Sequence, residues 1–156
     1  MEADLPRTII TYGTFDMFHI GHLRLFKRMR ELADRVIVGV STDEFNALKG
    51  KQALMPYAER HEIVEALKYV DLVIPESSWE QKVEDIRRHK VDVFVMGSDW
   101  RGEFDYLGDL CEVIYLDRTL GVSSTELRGT LDKFVSSEID VLNALELLRA
   151  IHRGLN

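Results

Sequence analysis

The chain has one cysteine in 156 residues, so no intramolecular disulfide can form. Cys111 opens an apolar run that ends at Leu116, and it reads as a reduced core residue. No apolar stretch approaches the ~20 residues that a membrane helix needs. The opening MEADLPRT is short and acidic and lacks the apolar region of a secretory signal, so the cytoplasm is the expected compartment. A basic excess is lacking too. Lys and Arg number 20 against 27 Asp and Glu, for a net charge of −7. That argues against a dedicated nucleic-acid binder, though an acidic chain can still hold a basic pocket for anionic substrates. No internal repeat, low-complexity segment or linker is visible.

What is present is the composition of a soluble globular protein, 46% apolar and 30% charged. The length suits one domain with a single core. Short β-branched runs alternate with longer helical patterns. Strands are expected over Thr8 to Tyr12, Arg35 to Val40, Leu72 to Pro75, Val91 to Met96 and Glu112 to Leu116. Each is short and nearly all apolar, as in strands buried on both faces of a parallel sheet. Helices are expected over residues 20–33, 57–69 and 79–89. The first sets Leu25, Phe26, Met29, Leu32 and Ala33 on one stripe, and the second repeats this with Ile63, Val64 and Leu67. Alternation of this kind implies right-handed crossovers. The fold class is therefore α/β: a doubly wound, five-stranded, mostly parallel Rossmann-like sheet with helices on both faces and an extra C-terminal helix. Ligands in such sheets bind beyond the carboxyl ends of the strands.

Residues 1–132 are expected to form this domain, with 133–156 as an amphipathic helical extension. Ser136 or Ser137 can cap that helix, and Val141, Leu145, Leu148 and Ile151 recur at helical spacing. Asn143, Glu146, Arg149 and Arg153 face the other way. Such a stripe covers the domain's own surface or a dimer interface.

The first strand leaves through Gly13-Thr14-Phe15-Asp16, and a helix begins at His19-Ile20-Gly21-His22. Gly13 gives a tight exit. Gly21 sits in the first helical turn, where it weakens the helix and so asks for a reason, such as a ligand lying on the backbone. His19 and His22 are three apart and share a face. Both lie at a helix N-terminus, which favours anions. Each imidazole can donate to a phosphate oxygen. Zinc is a weaker reading, because no third ligand has suggestive spacing. A second anion site is expected at the next helix start, after Arg118-Thr119-Leu120-Gly121, where Ser123, Ser124 and Thr125 supply hydroxyls and N–H groups. Arg118 can grip phosphate with two donors. Gly97 and Asp99 follow the fourth strand, where Gly97 permits close approach and Asp99 can accept from nucleotide hydroxyls or serve as a turn cap. Lys49 and Lys51 lie in the long connection after the second strand, and such connections are usually functional.

GTFDMFHIGH resembles the signature of the HxGH cytidylyltransferase-like nucleotidyltransferase family. The likeness continues through STDEFN, YVDLVIPE, WEQK, DVFVMGSDW and RTLGVSST, covers residues 8 to about 130, and is greatest to the bacterial branch that uses glycerol 3-phosphate. His-x-Gly-His is shared with class I aminoacyl-tRNA synthetases, but this chain lacks their second signature loop and a tRNA-binding domain. The resemblance implies transfer of CMP from CTP to a small phosphorylated alcohol, with glycerol 3-phosphate first, in a Mg2+-dependent reaction. His19, His22, Lys51 and Arg118 are the catalytic residues it implies. Gly13, Thr14, Phe15, Gly21, Gly97, Asp99, Gly121, Ser123, Ser124 and Thr125 would bind nucleotide. Asp16, Lys49, Trp79 and Lys82 would meet the acceptor. No protein-held metal, nucleic acid or membrane partner is implied, and a homodimer is, along with a product destined for teichoic acid or a capsule-like polymer. Ser124 stands where the family has threonine and Lys68 where it has arginine. Rival acceptors are phosphocholine, phosphoethanolamine, an aminoalkylphosphonate, a sugar phosphate or flavin mononucleotide. An adenylyltransferase or a non-catalytic CTP sensor is a further rival.

Overall fold

The computed structural model describes residues 6–154, without the side chains of Ile139 and of 147–154. The sequence readings at residues 1–5 and at the side chains of Leu148, Arg149, Ile151 and Arg153 lie outside the described residues. Five strands form one sheet: β1 (Thr8–Gly13), β2 (Arg35–Ser41), β3 (Leu72–Glu76), β4 (Val93–Gly97) and β5 (Glu112–Leu116). Their order is β3-β2-β1-β4-β5 and all four pairings are parallel. The chain winds outward from β1 through β2 to β3, then returns to the other side of β1 as β4. The order reverses between β1 and β4, and the carboxyl ends of those two strands frame the crevice where ligands bind in such sheets.

Alternate side chains serve the two faces. Ile9, Val36, Val38, Val40, Val93 and Val95 pack with Phe26, Met29 and Val64. Those three come from α1 (Ile20–Leu32) and α3 (Tyr57–Glu65). Ile10, Tyr12, Ile37, Phe94 and Met96 face the opposite way and pack with Ile86 of α4 (Gln81–His89) and with Phe104 and Leu107. Gly39 pairs with Tyr12 across the sheet. A Cβ at Gly39 would stand 2.2 Å from the Tyr12 ring, so only glycine fits beneath it. Cys111 immediately precedes β5, half-buried against the second cluster, and burial raises its thiol pKa.

Several boundaries differ from expectation. The connection after β2 holds a short helix, α2 (Asp43–Leu48), capped by Thr42, whose Oγ accepts from Phe45 N at 3.1 Å. The second expected helix ends early, at Glu65, where turn bonds from Leu67 N to Val64 O and Val70 N to Leu67 O bend the chain toward β3. The third begins at Gln81, two residues late. Ser78 and Gln81 exchange hydrogen bonds there, Gln81 N to Ser78 Oγ and Ser78 N to Gln81 Oε1, in the manner of a capping box.

The chain divides into two compact units, residues 1–121 and 122–156. The second unit is one helix, α5 (Ser124–Gly154). It starts well before Ser136 and Ser137, and Ser123 is the cap, accepting from Glu126 N at 3.0 Å. Ser137 is interior and donates back to Phe134 O at 2.8 Å, a bond that helices tolerate. Among the described residues no helix is long and apolar enough to cross a membrane.

Candidate active site

The exit of β1 is strained. Phe15 and Met17 hold φ of 52° and 47°, a region that non-glycine residues seldom enter. Strain of this kind persists only where surrounding contacts impose it. The Phe15 ring folds back over Gly13, where a Cβ would come within 2.9 Å of it. It then packs on Phe26 and meets His22 edge-on at 5.3 Å. Phe18 flanks His22 at the same centroid distance. Phe15, read from the sequence as a nucleotide contact, is thus a buried wall that sets the His22 ring.

His19 is the N-cap of α1, its Nδ1 accepting from Gly21 N at 3.1 Å. His22 Nδ1 accepts from His19 N at 3.4 Å. The two rings stack with centroids 3.8 Å apart. With each Nδ1 accepting, the proton of each neutral ring belongs on Nε2. Burial lowers the His19 pKa. It lowers that of His22 further, to about 4, with help from His19 and Arg118 and against the pull of Asp16. The pair is therefore neutral at pH 7 and offers two Nε2–H donors at the start of a helix.

Asp16 is buried, and its carboxylate accepts from Leu54 N at 2.7 Å and Met55 N at 2.9 Å. It fixes the segment that follows Lys51. Thr14 donates to Asn46 Oδ1 at 3.0 Å, and the Asn46 carbonyl accepts from Lys51 N at 2.8 Å. Asn46 Nδ2 is buried with no hydrogen-bond partner among the described residues.

Two residues missed by the sequence reading organise this region. Arg60, 1% exposed, donates to Met55 O at 2.9 Å, Thr14 O at 2.7 Å, Ser41 O at 2.8 Å and Asp43 Oδ1 at 2.7 Å. One guanidinium thus ties the ends of β1 and β2 to α2 and the following loop. Glu76, 2% exposed, accepts from Lys82 Nζ at 2.6 Å and from the Ser41 hydroxyl. Lys49 Nζ donates to that hydroxyl at 3.0 Å and stands 3.8 Å from Glu76. Burial lowers the Lys49 pKa, Glu76 opposes this, and the cations Lys51, Lys82 and Arg60 add to it.

Lys49, Lys51 and Trp79 come together in a pocket of about 480 Å³, completed by Phe45, Leu48, Ser77, Ser78, Glu80 and Trp100. Lys51 is exposed and has no carboxylate within ion-pair distance among the described residues. Lys82 is not on this wall. Its side chain is fully buried among Tyr12, Trp79 and Phe104. Gly97 ends β4 with open space where a Cβ would stand. Asp99 is ion-paired with Arg118, both half-exposed. Gly121 takes φ +75°, and Ser123, Ser124 and Thr125 lie in the second unit at the start of α5. Among the described residues no group of three or more His, Cys, Asp or Glu is placed to hold a metal ion.

The family model described as cytidylyltransferase-like matches residues 10–130. The chain belongs to the cytidylyltransferase-like family. Within that family, a glycerol-3-phosphate cytidylyltransferase of Staphylococcus aureus is 53% identical over 125 residues, covering 80% of this chain and 95% of that protein. The enzyme of the same name from Bacillus subtilis is 53% identical over 122 residues, covering 78% and 95%. Among solved structures, the lipopolysaccharide core biosynthesis protein of Thermoplasma volcanium superposes with a TM-score of 0.62 at 21% identity, covering 73% of this chain and 98% of that one. That likeness speaks to the fold of this cytidylyltransferase-like chain.

Proposed function

We propose that this chain transfers CMP from CTP to glycerol 3-phosphate, giving CDP-glycerol and pyrophosphate. The observation that carries the reading is the neutral imidazole pair at the start of α1, each ring with its Nε2–H left as donor. An oxygen of the acceptor phosphate forms a bond to the α-phosphorus as the bond to the β-bridging oxygen breaks. The acceptor is anionic at neutral pH, so positioning and charge stabilisation suffice without a strong base. His19 and His22 would donate to the α-phosphate and bridging oxygens, where charge grows in the transition state.

Lys51 and Arg118 would hold the β- and γ-phosphates, with Arg118 released from Asp99 as they bind. Gly13, Thr14, Gly21 and Gly97 would line the nucleotide. Lys49 and Trp79 would meet the acceptor, and Asp16 would act by fixing the Leu54–Met55 backbone. The nucleotide enters as its magnesium complex. A hard cation seeks oxygen donors, and here Asp16 already accepts from two amides and Asp99 pairs with Arg118. The triphosphate oxygens would therefore carry the Mg2+. In the same reading the reaction belongs in the cytoplasm, since charged substrates do not cross a membrane unaided, and the resemblance to the glycerol 3-phosphate branch is what supports a product destined for a polymer of the teichoic-acid kind.

The test is magnesium-dependent pyrophosphate release from CTP across an acceptor panel, with ATP as the control nucleotide. Release with CTP and glycerol 3-phosphate alone is expected. Release with another acceptor keeps the chemistry and moves the substrate. CTP binding with no release across the panel makes the chain a sensor. A homodimer belongs to the same reading, supported by the exposed Leu131, Phe134, Val141, Leu142 and Leu145 of α5. Light scattering should give twice the chain mass, and a monomer would remove this part.

A further inference from the structure

The side-chain amide of Gln81 is saturated. Its Oε1 accepts from Ser77 N at 2.5 Å and Ser78 N at 3.0 Å, and its Nε2 donates to Pro75 O at 2.8 Å and Asp85 Oδ2 at 2.9 Å. Two donors and two accepting lone pairs are all that such an amide has. A cap at a helix start accounts for the Oε1 bonds. The Nε2 bonds go further, back to the end of β3 and one turn along α4. There the Asp85 carboxylate, 7% exposed, accepts on the same oxygen from Tyr12 OH at 2.9 Å. Tyr12 stands in the central strand with its ring over Gly39. Burial first, then Asp85, raises the pKa of its phenol, which therefore stays a donor. A line of hydrogen bonds thus runs from β1 through Asp85 and Gln81 to the backbone of Ser77 and Ser78. Those two residues, with Trp79 and Glu80, form one side of the pocket that also holds Lys49 and Lys51.

We propose that Gln81 is a positioning residue for the acceptor: it locks the pocket wall formed by residues 77–80 to the sheet, with Asp85 and Tyr12 as its anchor. Its part in the reaction rests on the cytidylyl-transfer reading above. Trp79 is 38% exposed, and its ring meets Phe45 and Trp100 at 5.4 and 5.7 Å. With one side in solvent, the ring is placed by the backbone beneath it, and Gln81 holds that backbone. A wall fixed before the substrate arrives removes an ordering cost from binding. Glutamate at position 81 would keep the shape and the accepting oxygen but put a second oxygen in the place of Nε2. That oxygen would face the Asp85 carboxylate, a like charge, and Pro75 O would lose its donor. Asparagine at position 85 in the same protein returns a donor to the line, while its carbonyl still accepts from Tyr12. The Gln81–Asp85 bond is then reversed in polarity, and the net charge is that of wild type.

The experiment compares wild type, Gln81→Ala, Gln81→Glu and the double variant Gln81→Glu/Asp85→Asn in two measurements. The first is acrylamide quenching of Trp79 fluorescence, which reports on the wall without any turnover. The chain has two tryptophans, so a Trp100→Phe background leaves Trp79 as the one indole. Both single variants should quench roughly twofold more strongly than wild type, as a segment that opens locally exposes its ring. The double variant should return most of the way. In the second, KM for glycerol 3-phosphate should rise about tenfold in Gln81→Glu while KM for CTP stays near wild type, with the loss in KM rather than in kcat. The double variant should recover most of that rise. Equal quenching in all four proteins, or a double variant no better than Gln81→Glu, overturns the lock. Changed quenching with an unchanged acceptor KM overturns the positioning role, and so does a KM for CTP that rises in parallel. Wild type inert with every acceptor would instead remove the transfer reading, and the quenching would still decide whether Gln81 holds the wall.

Discussion

The imidazoles of His19 and His22 stack 3.8 Å apart at an interplanar angle of 25°. Two rings so close cannot both carry charge at modest cost, and the inner one is further buried between Phe15 and Phe18. Burial first, then His19, holds the His22 pKa at about 4. In an NMR titration its ring signals should stay those of the Nε2–H neutral tautomer from pH 8 down to about pH 5. A midpoint near the ordinary histidine value of ~6.5 would sink both the tautomer and the donor role.

The same shift has a consequence for stability. The folded pKa lies below the unfolded one, so as pH falls below about 6.5 the unfolded chain takes the proton first. Stability from this group is fully present above about pH 6.5 and drains away toward about pH 4, where the folded protein also protonates. The loss should be about 3 kcal/mol at most. Urea midpoints across that window should fall for wild type more steeply than for His22→Gln. Parallel curves would contradict the assignment.

Turnover should separate the two nitrogens of each ring. The amide nitrogen of glutamine reaches the place of Nε2, whereas that of asparagine reaches only the place of Nδ1. His22→Ala should lower kcat by about 10² to 10³-fold, the scale for one transition-state donor, with circular dichroism unchanged. His22→Gln should retain more activity than His22→Asn. At His19 the asparagine variant can still cap α1 through the Nδ1 position, so it should fold well and turn over poorly. Equal kcat for glutamine and asparagine variants would place the useful donor elsewhere.

The strands were legible because each is a short apolar run, buried on both faces in β1, β2 and β4 and only partly buried at the edges β3 and β5, and their observed ends fall within two residues of the expected ones. The histidine pair was legible for a different reason: a glycine-rich strand exit followed at once by a helix start is a local pattern. Helix α2 was not seen, because six residues are too short for periodicity to register. Thr42 with Asp43 and Glu44 behind it is a cap signal that could have found it. The helix start at Ser123 was legible, but its unbroken run through Ser136 and Ser137 was not, because those serines look like caps of a separate helix. Arg60 and Glu76 escaped for a deeper reason. Most of their partners are backbone carbonyls and side chains brought from segments far apart in sequence. The resemblance gives Lys82 an acceptor contact, and the folded positions of Tyr12, Glu76 and Phe104 add that its ammonium is enclosed.

Arg60 offers the most direct test of how the site is held. Its guanidinium is buried and donates to three main-chain carbonyls and to Asp43, so its removal leaves Met55 O, Thr14 O and Ser41 O without that donor. Loss of a buried charged donor costs on the order of 3 kcal/mol or more, so Arg60→Ala should melt roughly 6 °C or more below wild type. Arg60→Lys keeps the charge but has one nitrogen where the fork has three, and it cannot span Thr14 and Asp43 together. It should recover part of the midpoint and little of kcat/KM, because the ends of β1 and β2 would no longer be tied. Differential scanning fluorimetry and pyrophosphate release, read well below the midpoints, measure the two effects separately. A lysine variant restored in both would mean that charge alone is required there, and that the forked geometry has no part in placing Thr14 and the histidines behind it.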